Sequence, residues 1–229
     1  PGRRPRRRRA RANARPSGSE VQPEHGFAPL ERVAAPDVPA LPIKSDAAYV
    51  VTGGLGLLGL EISRWLAENG ARHLTLVGRT ALPDRELWPS LPKNGDAYRR
   101  VRAVEAIERI GVTVEIAAID VTNEEQVRTY LDRLGHSAPP LRGVVHAASA
   151  AGSVPLMELD LARLNAMLRP KVGGTWGLHR ATASSDLDFF VLFSSVAAVL
   201  GSLEMAHYAA ANTFLGDSGG SIPSLRAVA

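Results

Sequence analysis

The chain has 229 residues, enough for one α/β domain of ordinary size with a segment to spare, and no cysteine, which excludes disulfides and thiolate chemistry. No apolar run approaches the ~20 residues that cross a bilayer, and no apolar signal core follows the basic start, so a cytoplasmic protein without a membrane partner is expected. The net charge of +4 comes from the first fifteen residues, which hold eight arginines and no acid; the remainder carries 19 basic residues against 23 acidic ones, a net of −4.

Residues 1–45 are rich in Arg, Pro, Ala, Ser and Glu without periodicity, and prolines at 1, 5, 16, 23, 29, 36, 39 and 42 interrupt any element placed there. A disordered linker is expected. A basic arm can bind nucleic acid by neutralising phosphates, but no aromatic residue interleaves the arginines and no recognition motif follows, so nucleic acid is not the expected partner.

The folded domain is expected over 46–229. It opens on Tyr49-Val-Val-Thr-Gly-Gly-Leu-Gly-Leu-Leu-Gly59, read as a short apolar strand, a glycine-rich turn and the start of an amphipathic helix. Gly53, Gly56 and Gly59 allow a tight turn, close approach of backbone to a pyrophosphate, and close packing of helix on strand. The helix N-terminus then directs its free N–H groups at the anion. Apolar positions at helical spacing carry the helix over Leu57–Asn69, to a C-cap at Gly70.

His73–Arg79 reads as the next strand and residues 80–97 as a polar loop with three prolines. Tyr98–Ile110 reads as a helix, Val112–Ile119 as a strand, and Thr122 or Asn123 as the cap of a helix with Glu124 and Glu125 in its first turn. Leu141–Ala148 is a strand, Glu158–Leu168 and Gly173–Ala183 are helices, Leu187–Ser195 is an apolar strand, and His207–Leu215 is helical. Strand and helix alternate, and the strands are nearly continuous apolar runs. That pattern predicts a doubly wound parallel sheet, the Rossmann architecture, with ligands beyond the carboxyl ends of the strands.

The residues at those strand ends carry the functional reading. Arg79 follows the second strand where a carboxylate would bond a ribose 2′-hydroxyl; an arginine instead accommodates a 2′-phosphate, which selects NADPH over NADH. Asp120, after the third strand, is either an acceptor for the adenine amine or a helix-capping acid. His146-Ala-Ala148 ends the fourth strand with small residues, and His146 reads as structural rather than catalytic. Phe193-Ser-Ser195 ends the fifth strand, and thirteen residues on comes Tyr208, with Asn212 one helical turn beyond it. A serine, a tyrosine and Lys171 around a nicotinamide are what carbonyl reduction needs: hydride to carbon, a proton from the phenol to oxygen, and an ammonium that favours the phenolate.

With these motifs in view, the chain resembles the ketoreductase domain of a modular polyketide synthase, a member of the short-chain dehydrogenase/reductase superfamily. The matching segments are Thr52-Gly-Gly-Leu-Gly-Leu-Leu-Gly59, Leu76-Val-Gly-Arg79, Gly143-Val-Val-His-Ala-Ala148, Lys171-Val-Gly-Gly-Thr-Trp-Gly-Leu-His179, Leu192-Phe-Ser-Ser195 and His207-Tyr-Ala-Ala-Ala-Asn212, within residues 46–215. Most short-chain dehydrogenases carry Tyr-x-x-x-Lys with an asparagine on the earlier helix. Here asparagine follows the tyrosine and the lysine lies upstream, as in polyketide and animal fatty acid synthase ketoreductases.

The resemblance implies that Tyr208 donates the proton, Ser195 orients the β-keto oxygen with Ser194 as its rival, Lys171 lowers the tyrosine's pKa and contacts the nicotinamide ribose, and Asn212 completes the relay. The implied cofactor is NADPH, held by Thr52, Gly53, Gly54, Leu55, Gly56, Leu58, Gly59, Gly78, Arg79, Asp120, Val121, His146, Ala147, Ala148, Lys171 and Tyr208, with no metal. The implied substrate is a β-ketoacyl thioester on the phosphopantetheine arm of an acyl carrier protein, among other synthase domains.

Three departures go with it. Residues 1–45 do not resemble the family's supporting subdomain. Neither stereochemical marker is present: Ser149–Pro155 replaces Leu-Asp-Asp, and Leu200 stands where a tryptophan would. Finally, Thr213–Gly220 contains three glycines expected to break the last helix, with Ser221–Ala229 the only candidate for a sixth strand and nothing left for a lid. The chain is therefore expected to be a truncated or misjoined piece of a larger synthase, and the competing expectation is a catalytically inactive nucleotide-binding or structural module.

Overall fold

The computed structural model describes residues 40–150, 152–221 and 225–228, with backbone only from 217 onward; the linker reading of residues 1–39 lies outside the described residues. Its frame is a sheet of β1 (Ala48–Thr52), β2 (His73–Gly78), β3 (Thr113–Ala118), β4 (Leu141–His146), β5 (Phe189–Phe193) and β6 (Leu225–Val228). The order is β3-β2-β1-β4-β5-β6, every pair parallel. The chain winds outward from β1 to β3, crosses back to β4 and winds outward the other way. β1 and β4 are therefore adjacent strands whose following connections diverge, and a crevice opens at their carboxyl ends.

Successive side chains on a strand point to opposite faces, and in β1, β2, β4 and β5 both faces are largely buried, whereas the edge strand β3 exposes Thr113, Glu115 and Ala118. Tyr49, Val51, Leu74 and Leu76 face α1 (Leu57–Glu68) and α2 (Asp96–Glu108), joining Leu66, Val101, Val104 and Ile107. Val50, Val77, Val144, Phe190 and Leu192 face the other way, against Tyr130 and Leu134 of α3 (Glu124–Ser137) and Leu178 of α5 (Gly174–Ala181). Leu41 and Ile43, assigned from sequence to the linker, also pack against the first cluster, and Lys44 pairs with Asp188 at 2.8 Å.

The remaining helices are α4 (Leu161–Leu168), α6 (Ala197–Leu200) and α7 (Ala206–Ser221). Two expectations change here. The break between the helices expected at 158–168 and 173–183 is a π-helical turn, Arg169–Gly173, so α4 runs into α5 as one rod. The glycines of 213–220 do not end α7. It continues to Ser221, and Leu225–Val228 pairs with β5 as the sixth strand. A glycine costs a helix about 1 kcal/mol against alanine, and packing of α7 on α4, the π-turn, β5 and β6 overrides that local preference. Among the described residues no helix is long and apolar enough to cross a membrane.

Candidate active site

The glycine turn lies in the crevice between β1 and β4. Gly53 has φ +67°, which disfavours a side chain, and a Cβ there would stand 2.9 Å from Ala147 O. Gly59, in the first turn of α1, faces the backbone of Gly53 and Gly54, so the helix can pack this close only without a Cβ. No side chain caps α1 at Gly56, which leaves the helix N-terminus directed at the crevice for an anion. The crevice widens into a cleft of about 840 Å³, large enough for a dinucleotide.

Most of the predicted cofactor residues line this cleft: Thr52, Gly53, Leu55, Gly56, Leu58, Gly59, Gly78, Arg79, Asp120, Val121, Ala147 and Ala148. Gly54, His146, Lys171 and Tyr208 do not. Gly54 serves packing, since its Cβ would meet Val51 O at 2.7 Å and Leu76 at 2.8 Å. His146 is 1% exposed, with Nδ1 2.6 Å from Thr52 Oγ1 and Nε2 2.9 Å from Pro170 O; its ring is held in the interior, away from the cleft. Asp120 accepts from Thr122 N at 2.9 Å, and Asn123, not Thr122, caps α3 through Gln126 N at 3.1 Å.

The polar cluster stands at the carboxyl end of β5. Lys171, in the π-turn, is 3% exposed; its Nζ donates to Phe193 O at 2.9 Å and lies 5.7 Å from the centre of the Tyr208 ring. Burial pushes its pKa down to about 8. Tyr208 is half-buried on the first turn of α7, and one turn on Asn212 Nδ2 donates to Tyr208 O at 2.8 Å. Asn212 Oδ1 is buried and accepts from no described group. The two serines separate: Ser194 Oγ donates to Asn212 O at 2.9 Å, whereas Ser195 Oγ accepts from Ala197 N at 3.2 Å at the start of α6. Ser194 is thus tied to the α7 backbone. Ser195 keeps its hydroxyl proton for another acceptor.

The family model of the KR domain matches residues 47–218. The chain belongs to this family. It is a polyketide-synthase ketoreductase domain of the short-chain dehydrogenase/reductase superfamily, and such domains bind a nicotinamide nucleotide. It is 41% identical over 179 residues to a phenolphthiocerol/phthiocerol polyketide synthase of Mycobacterium tuberculosis, covering 77% of this chain and 9% of that protein. With 6-methylsalicylic acid synthase of Penicillium expansum it shares 37% identity over 184 residues, 79% of this chain and 10% of that one. The chain therefore spans about a tenth of these relatives. Among solved structures, an A1-type ketoreductase superposes with a TM-score of 0.71 at 37% identity, over 86% of this chain and 40% of that one. A ketoreductase domain from the bacillaene assembly line gives 0.70 at 28%, over 80% and 41%.

Two basic cleft residues of this ketoreductase domain were not among those expected from sequence. Arg100, on α2, shares the cleft with Arg79, and Arg169 lines it from the π-turn. Neither Arg79 nor Arg100 is ion-paired with a described residue, although most arginines on these helices are.

His146 also makes the fold sensitive to acid. Burial lowers its pKa to about 4 from the ordinary 6.5. Between those values the unfolded chain binds a proton that the folded one refuses, so stability is lost as pH is lowered through that window, by up to about 3 kcal/mol. Urea unfolding at pH 7 and pH 4 should show this limb in the wild type, and it should be absent in His146→Gln.

Proposed function

We propose that this domain reduces a β-ketoacyl thioester, carried on the phosphopantetheine arm of an acyl carrier protein, to the β-hydroxyacyl thioester with NADPH, in polyketide or related fatty acid assembly beside the other synthase domains. The observation that carries the reading is the buried Lys171 ammonium, held between the end of β5 and the Tyr208 ring, on the residue that follows Pro170 in the wall of a dinucleotide-sized cleft. A surface lysine would be hydrated and indifferent to its neighbours. This one is desolvated beside a phenol, a group that can give up a proton and be stabilised by the ammonium as an anion.

Reduced nicotinamide, when bound, supplies the hydride to the keto carbon. The chain's own residues do the rest. Tyr208 gives its proton to the carbonyl oxygen, Ser195 donates a hydrogen bond to that oxygen, and the Lys171 charge stabilises the phenolate left behind. Asn212 holds the Tyr208 backbone and offers Oδ1 as an acceptor for the returning proton's path. The cradle suits a dinucleotide's phosphates: Gly53, Gly56 and the α1 N-terminus would hold the pyrophosphate, and Arg79 with Arg100 would hold the 2′-phosphate. Loss of NADPH absorbance with a β-ketoacyl thioester tests the reading; a folded, NADPH-binding protein that leaves every such thioester unreduced would overturn it.

The two arginines give a separate check by calorimetry. Arg79→Ala and Arg100→Ala should each weaken 2′,5′-ADP about tenfold, the value of one charge-assisted hydrogen bond, and leave 5′-ADP unchanged. Equal losses for both ligands would remove the case for a 2′-phosphate site.

A further inference from the structure

His146 joins two parts of the site that the sequence keeps 119 residues apart, Thr52 and Lys171. Its Nε2 faces Pro170 O, which can only accept, so the proton is on Nε2. The buried ring is neutral above about pH 4, so Nδ1 is bare and accepts the Thr52 hydroxyl at 2.6 Å. Thr52 is the residue before Gly53, and Pro170 is the residue before Lys171. The place of contact is also where the helix is weakest. Proline has no N–H and interrupts the α-helical ladder, and the rod widens there into the π-turn. Side chains hold the turn's carbonyls: Pro170 O from outside by His146 of β4, and Lys171 O from the next turn of the same rod by the Thr175 hydroxyl at 2.5 Å. Space is closed as well, since a Cβ on Gly174 would stand 3.2 Å from His146 Cε1.

We propose that His146 is a positioning residue: it fixes the π-turn in register with the glycine turn and so sets where the Lys171 ammonium stands beside Tyr208. It touches neither substrate nor cofactor. The kinetic half of this inference rests on the reductase reading above; the positional half does not. The titratable groups facing Lys171 are His146 from β4 and Tyr208 from α7, so displacement of the π-turn reaches the lysine without another charge to mask it.

Glutamine can reproduce both hydrogen bonds, with its amide N–H toward Pro170 O and its carbonyl toward the Thr52 hydroxyl, and leucine can make neither. His146→Leu and His146→Gln are therefore compared with wild type by hydrogen-exchange mass spectrometry and by pH-dependent kinetics. In His146→Leu, amide exchange over residues 169–175 should speed up about tenfold while β2 and β3 keep their protection. Its kcat should fall about 10- to 100-fold at a nearly unchanged NADPH affinity. The alkaline limb of the rate profile should leave pH 8 and move upward, because a loosened turn admits water to a lysine whose pKa only burial had lowered. His146→Gln should restore all three.

Equal damage in the two variants, unaltered exchange at 169–175, or a kcat loss with the alkaline limb unmoved would each overturn the proposal. Absence of turnover in wild type would overturn the reductase reading instead, and the exchange comparison would still decide the placement of His146.

Discussion

Tyr208→Phe should lower kcat for thioester reduction by about 10²- to 10⁴-fold, the contribution of a positioned general acid, while NADPH affinity falls by no more than about tenfold, the worth of a neutral hydrogen bond. The ring is unchanged in this substitution and remains 5.7 Å from the Lys171 ammonium, so folding and local packing are preserved. Only the dissociable proton is lost. The measurement is single-turnover reduction under saturating NADPH, which removes differences in binding. Wild-type activity should itself fall as pH rises through about 8, where the buried Lys171 loses its charge and the phenolate loses its stabilising partner. The variant's residual rate, with no phenolate to stabilise, should lack that limb. Equal rates in wild type and variant would remove Tyr208 from the mechanism and, with it, the reason for burying a lysine beside it.

The glycine turn and the strand ends were legible because their physical constraints are local. A φ of +67° at Gly53 and a backbone contact at Gly59 each demand a missing Cβ whatever the rest of the chain does. Parallel order followed from the apolar strands alternating with helices, since only a sheet covered on both faces buries such runs. The misreadings came from non-local forces. The glycines of α7 predict a break by propensity alone, and the neighbouring strand and helices that hold the helix together are invisible in its own sequence. Pro170 marks an interruption between α4 and α5, but whether the chain stops or widens into a π-turn depends on a donor for the Pro170 carbonyl, supplied by the His146 ring 24 residues upstream. For the same reason His146 had no partner when read in sequence. Arg100 was missed because helical spacing shows which face a residue occupies, and the cleft is reached from the edge of that face.

Gly59→Ala should cost both stability and cofactor binding, whereas Gly56→Ala should cost binding alone. At Gly59 the new methyl meets backbone on two sides, Gly54 Cα at 2.7 Å and Gly53 C at 2.8 Å, with Gly53 O nearer still. None of these is the end of a flexible side chain. Either α1 lifts from β1 or the turn is pushed toward the cleft. Overpacking of this kind costs about 1–3 kcal/mol, which for a body of this size is roughly 2–12 °C in Tm. Displacement of the first turn of α1 also moves the N–H groups proposed to hold the pyrophosphate, so NADPH affinity should fall about 100-fold or more. At Gly56 the added methyl meets only Gly53 O, at 3.1 Å, and the residue lines the cleft. There the methyl would occupy cleft space proposed for the phosphate and leave helix and strand in place. Scanning calorimetry with NADPH fluorescence titration separates the two outcomes. A Gly59→Ala protein with wild-type Tm and affinity would mean that α1 approaches β1 less closely than the Gly59–Gly54 contact requires, and the geometry assigned to the cradle would fail with it.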